Sequence, residues 1–130
     1  MWHLDTNVVV AYLRGDRAVA NRFRSALPDV GINTIVLAEL LYGVRLSGRE
    51  LENLRHLHRF LHLVEVVPFD ESCAEAYSRI RFALRQKGQS SGEIDNLIAA
   101  VCMAKGATLV TRNIRHFQTI DGLRIEEWKE

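Results

Sequence analysis

With 130 residues, 48% of them apolar and 25% charged, the chain is long enough for one compact domain with its own core. That composition excludes a disordered, collagen-like or disulfide-scaffold protein. A net charge of +1, from 17 basic and 16 acidic residues, does not mark a nucleic-acid binder, although a local basic rim can stand beside an acidic pocket.

Segments of strand and helix character alternate. Trp2–Leu4 reads as a short strand, followed by a helix over Val8–Leu13. Asp16 is placed to cap a second helix, Arg17–Leu27, which Pro28 ends. Val30–Ile32 is a second strand. Asn33 or Thr34 then caps a helix running to Leu46 and closed by Ser47-Gly48. Arg49–His62 is a polar helix with one apolar stripe of Leu51, Leu54, Leu57, Phe60 and Leu61. Val64–Val67 is a third strand, and Asp70 caps a helix to Lys87 with Gly88 as its terminating residue. The polar turn Gln89-Ser90-Ser91-Gly92 leads into the helix Glu93–Lys105, and Thr108–Thr111 and Leu123–Glu126 complete five strands.

This order, with short connections, predicts an α/β fold: a mostly parallel central sheet with helices on both faces, as one domain over residues 1–130. No segment approaches the ~18 continuous apolar residues of a membrane span. Asp5 interrupts the start of the chain, where a cleavable leader would be basic and then apolar. Cys73 and Cys102 have no paired spacing and suit buried packing in a reducing, cytoplasmic setting.

Three carboxylates stand in apolar company. Asp5 ends the first strand, Glu39 lies inside Ile35–Tyr42, and Asp95 opens the run Asn96–Val101. Ionised acids in such places are costly unless something positive meets them. Asp95 shares a helical face with Ile98, Ala99 and Cys102, and Glu39 shares one with Ile35, Tyr42, Gly43 and Leu46, so both are expected to point along packed faces. Asp5 and Asp95 have simpler readings, as a helix cap and as a charge on a helix dipole. Glu39, mid-helix, has no capping role. Jointly the three acids point to a shared cation. All-oxygen ligands suit Mg²⁺, with Mn²⁺ as a substitute, and such a site supports phosphodiester hydrolysis by a metal-activated water.

A second signal is Thr108–Asn113, followed by Ile114–Phe117. The Thr111 hydroxyl can face the site. Asn113 offers a carbonyl oxygen, or caps the short helix after it. Arg112 and Arg115 are candidate phosphate contacts, against the commoner role of solvated surface arginines. His58 and His62 are one helical turn apart, as zinc would need, but no third ligand is near, and the segment reads as a solvated basic face. The stripe Arg79, Arg81, Arg85 and Lys87 reads the same way.

Leu4-Asp5-Thr6-Asn7, Ala38–Gly43, Asp95–Ala100, Leu109–Asn113 with His116-Phe117, and Gly122–Trp128 occur in an order that resembles the PIN-domain family, in particular its VapC-type toxins of toxin–antitoxin pairs. The resemblance implies a PIN-like three-layer sandwich and a Mg²⁺-dependent endoribonuclease, inhibited by a small antitoxin whose C-terminal segment fills the active-site groove. It implies Asp5, Glu39 and Asp95 as metal ligands, Thr6 and Thr111 in support, RNA as substrate, and a homodimer that assembles further with antitoxin. Many relatives carry Asp where this chain has Asn113, which implies weaker binding of a second ion. Glu93 has no counterpart in the pattern and reads as a charge at a helix start or as a supplementary site carboxylate.

Two rival readings belong to other classes. Asp5 at a strand end suits an aspartyl-phosphate phosphotransferase. That chemistry wants an acid where Asn7 stands, or a lysine where Arg112 stands. A binding module that keeps the pocket without turnover is the other, and Asn113 is its support.

Overall fold

The computed structural model describes residues 1–90 and 92–129. Ser91, in the expected polar turn, lies outside the described residues. Five strands, β1 (Trp2–Leu4), β2 (Val30–Asn33), β3 (Glu65–Val67), β4 (Thr108–Val110) and β5 (Ile125–Glu126), form one parallel sheet in the order β3-β2-β1-β4-β5. All four residues of β2 are buried. Successive side chains of a strand face opposite sides, so both faces of the sheet are covered there. Gly31 in β2 has a local reason: a Cβ there would stand 3.1 Å from the Glu65 carbonyl oxygen of β3.

Seven helices are formed among the described residues: α1 (Thr6–Leu13), α2 (Arg17–Ala26), α3 (Thr34–Leu46), α4 (Glu50–Leu61), α5 (Glu71–Gln86), α6 (Glu93–Lys105) and α7 (Ile114–Phe117). Their starts follow the expected capping chemistry. Asp16 accepts from the Val19 N–H, Asn33 from that of Val36, and Asp70 from that of Cys73. Asn33, not Thr34, is thus the cap of α3. The Thr34 hydroxyl instead accepts from the Phe69 N–H at 3.1 Å. Helix α1 begins at Thr6 and not at Val8, because Asp5 has extended backbone and its carboxylate caps the Thr6 N–H directly. Gly106 closes α6 at φ +66°, a conformation open to glycine at no steric cost.

The core gathers Leu4, Val9, Ile32, Val36, Ile98, Ala99 and Leu109 around the sheet. Beside it Tyr12, Phe23 and Phe60 pack with ring centroids 4.5 to 5.7 Å apart, tying α1, α2 and α4 together. Two expectations about helix faces need correction. In α4 Leu57 and Phe60 are buried, but Leu51 is 66% exposed, since it stands in solvent with its neighbours Glu50 and Glu52 at the start of the helix. In α3 the buried residues are Val36 and Leu40, whereas Tyr42 and Leu46, expected on a packed face with Glu39, are mostly exposed. Helical spacing identifies which residues share a face; it does not say whether another element covers it.

Candidate active site

Strand order reverses at β1: the chain builds β2 and β3 on one side of it and β4 on the other. In parallel sheets the crevice beyond the carboxyl ends at such a reversal is where ligands bind. Asp5 leaves β1 at this point and Thr111 leaves β4. A cavity of about 730 Å³ opens there, lined by Asp5, Thr6, Asn7, Arg14, Asp16, Glu39, Asp95, Arg112 and Asn113 among others. The three acids expected to share a site all line this one cavity, although their sequence positions span ninety residues.

Asp5 is the only one of the three that is truly buried, at 5% exposure; Glu39 and Asp95 are half-buried. Oδ1 of Asp5 accepts from the Thr6 N–H at 2.8 Å, and Oδ2 accepts from the Thr111 hydroxyl at 2.7 Å. Burial pushes the Asp5 carboxyl above the usual carboxylate range, with the negative charges of Asp95 and Glu39 adding to the rise. The hydrogen bonds from Thr111 and Thr6 oppose it. Asp5 is thus both the helix cap of the simpler reading and a carboxylate aimed at two others.

Glu39 owes its place to Thr6, whose hydroxyl donates to Oε1 at 2.5 Å. Asp95, in the first turn of α6, follows the expected face, since Ile98, Ala99 and Cys102 are buried. Its Oδ2 lies 3.1 Å from His116 Nδ1 on α7. That histidine was not among the sequence-derived site residues. The pairing crosses 21 residues, and the available signal was that a short helix after Thr111 must fold back on α6.

Thr111 is fully buried and does two jobs, because its hydroxyl oxygen also accepts from the Asn113 N–H at 3.0 Å. The Asn113 side chain makes no capping bond to α7; it is exposed at the cavity wall. Arg112 reaches the cavity, while Arg115 is exposed and does not line it. Asp16 was read only as a cap. It also binds Arg112, Oδ2 to Nη2 at 2.6 Å, and Arg112 helps hold its carboxyl below the usual range after the Val19 N–H. Asn7 accepts from the Arg112 N–H at 3.4 Å, and no lysine lines the cavity among the described residues. Neither partner that the phosphotransferase reading requires is present.

The donor set facing the cavity is oxygen-only, which suits a hard divalent ion. Among the described residues no three His, Cys, Asp or Glu side chains stand close enough to complete a coordination group unaided. A buried carboxylate with raised pKa beside two further acids is a place where positive charge is favoured. His58 and His62 have no third His, Cys, Asp or Glu beside them to complete a metal site among the described residues.

The PIN domain family model matches residues 3–123. The chain belongs to the PIN-domain family. Ribonuclease VapC2 of Rickettsia felis is 42% identical to this PIN domain over 98% of each chain. The tRNA(fMet)-specific endonuclease VapC of Shigella flexneri is 32% identical over 96% of each. Among solved structures, VapBC2 from Rickettsia felis, bound to a DNA fragment from its promoter, superposes with a TM-score of 0.93 at 36% identity, covering 98% of both chains. The expected fold class is borne out, as is the resemblance to VapC toxins.

Proposed function

We propose that this PIN domain is the toxin of a type II toxin–antitoxin pair, an endoribonuclease whose activity requires a divalent ion. One observation carries the reading: Asp5, Glu39 and Asp95 converge on the crevice between β1 and β4 in a chain 42% identical to a VapC ribonuclease. Asp5, Glu39 and Asp95 would hold Mg²⁺, for which Mn²⁺ can substitute. When bound, the ion supplies a nucleophile at neutral pH and neutralises charge on the phosphodiester.

The chain's own residues set up the rest. Thr111 and the Thr6 N–H fix both oxygens of Asp5, so its carboxylate presents one orientation to the cavity. Thr6, the first residue of α1 and the neighbour of Asp5, also holds Glu39, which locks two acids into one frame. Arg112, at the rim, offers the cationic fork that an RNA phosphate needs. Arg115 stands further out as a second phosphate contact.

An antitoxin segment has a seat beside the site. A second cavity of about 350 Å³ shares Thr6, Val10, Arg14 and Glu39 with the first and continues along Leu13, Leu40, Val44 and Leu57. An apolar helix lying there would reach the acids and block RNA. The similar solved structures from Rickettsia felis and Salmonella typhimurium are of VapBC bound to DNA, which supports a partner protein here. A cytoplasmic homodimer that assembles with its antitoxin follows from the same reading. Transfer RNA is the first substrate to test, because a relative at 32% identity is specific for one.

The test is cleavage of bulk transfer RNA and messenger RNA by purified protein with Mg²⁺, with chelator, and as the Asp5→Asn variant. Cuts at defined sites, lost under both changes, are expected. Cleavage that survives both would defeat the proposal. RNA binding in Mg²⁺ with no cut products would leave a binding module instead.

A further inference from the structure

Arg112 does not project freely from the rim of the cavity. Its backbone N–H donates to the Asn7 amide oxygen, and its guanidinium is bonded to Asp16 at 2.6 Å. Asp16 is itself immobilised, because its other oxygen caps α2 through the Val19 N–H at 3.0 Å. The α2 helix is in turn locked to the core through Phe23. A long side chain is thus tied at both ends to rigid elements, at the edge of an acid-lined cavity.

Stability is a poor explanation of this arrangement. Both partners are substantially exposed, and exposed ion pairs contribute little to stability. The cap alone already satisfies the start of α2. What the pair does achieve is orientation: one Nη bonds Asp16, leaving the other donors of a planar fork to face outward.

We infer that Asp16 is a positioning residue that holds Arg112 as the clamp for an RNA backbone phosphate entering the cavity. The inference rests on the ribonuclease reading and assigns Asp16 a role beyond helix capping. Fixing the arginine in advance lowers the entropy lost when phosphate binds. It also places one cation on the approach to an anionic pocket that otherwise repels the backbone.

Asparagine caps helices about as well as aspartate, so Asp16→Asn keeps α2 while removing the charge that holds Arg112. The probe is bulk transfer RNA, with cleavage kinetics in Mg²⁺ and binding by anisotropy, across a salt series, for wild type, Asp16→Asn, Arg112→Ala and the double variant. Arg112→Ala should raise KM about tenfold with kcat within about twofold, and lower the salt slope of binding by about one. Asp16→Asn should move KM the same way, and the double variant should be no worse than Arg112→Ala, because both changes remove one device. Tighter RNA binding by Asp16→Asn would overturn the inference, since Asp16 would then mask Arg112. Additive losses in the double variant, or no change in either single variant, would overturn it as well. Wild-type protein that neither binds nor cuts RNA would instead bring down the ribonuclease reading, and this inference with it.

Discussion

The Thr111 hydroxyl donates to Asp5 Oδ2 across 2.7 Å, joining the ends of β4 and β1 by a bond between residues 106 positions apart. Both side chains are buried, and the same hydroxyl accepts from the Asn113 N–H. A single oxygen therefore sets the orientation of the most buried acid and the path of the chain toward α7.

Thr111→Val keeps the shape and removes both bonds. A buried carboxylate left without one partner, and an amide N–H left without its acceptor, should cost about 1–3 kcal/mol of stability. RNA cleavage should fall by about tenfold or more, because Asp5 is freed to turn. Thr111→Ser should retain most of both properties. Denaturant unfolding and single-turnover cleavage measure the two effects, and a valine variant as active as wild type would remove Thr111 from the site.

The raised pKa of Asp5 has a defined consequence for stability. A group that holds its proton more tightly when folded stabilises the protein fully below its unfolded pKa. That contribution is lost as pH rises through the folded value. Without divalent ions the wild type should therefore lose this contribution from about pH 4 upward, and Asp5→Asn should not. Above that window the variant should melt at the higher temperature. Mg²⁺ should raise the melting temperature of the wild type near neutral pH and leave Asp5→Asn nearly unchanged. Thermal melts from pH 3.5 to 8, with and without Mg²⁺, test both statements.

Some of this site could be read from the chain and some could not, for physical reasons. Asp5, Glu39 and Asp95 were legible because a carboxylate in an apolar run needs compensation, whatever the fold. The parallel sheet was legible because strands and helices alternate with short connections. The exposure of Leu51, Tyr42 and Leu46 was not, since periodicity defines a stripe without naming its cover. Nor were the contacts His116–Asp95 and Arg112–Asp16. They join loops and helix starts distant in sequence, where no spacing rule operates. Thr6 was only partly legible: its place after Asp5 suggested support, but its bond to Glu39 needed α3 to lie against α1.

That bond leads to a third expectation. Thr6→Val removes the donor to Glu39 while preserving the Thr6 N–H cap on Asp5. Glu39 is half-buried and can rehydrate, so stability should change by less than about 1 kcal/mol. Catalysis depends on placement to within a fraction of an ångström, so cleavage should drop about tenfold. Thr6→Ser should restore it. A serine variant as impaired as valine would show that the methyl group, and not the hydroxyl, matters at this position.

Asn113 tests how much negative charge the cavity tolerates. Its side chain is exposed at the wall and makes no capping bond, so Asn113→Asp changes charge with little structural cost. An acid there, added to Asp5, Asp16, Glu39 and Asp95 on the cavity wall, should tighten divalent binding. The Mg²⁺ concentration giving half-maximal cleavage should fall severalfold, and Mn²⁺ affinity by calorimetry should rise in parallel. The same charge works against RNA when ions are scarce, because the cavity then repels phosphate more strongly. At low Mg²⁺ the variant's KM should accordingly rise even as its metal requirement falls. This crossing of the two effects distinguishes a new ligand from a general gain in activity. An unchanged metal requirement would place Asn113 outside the reach of any ion held by Asp5 and Asp95.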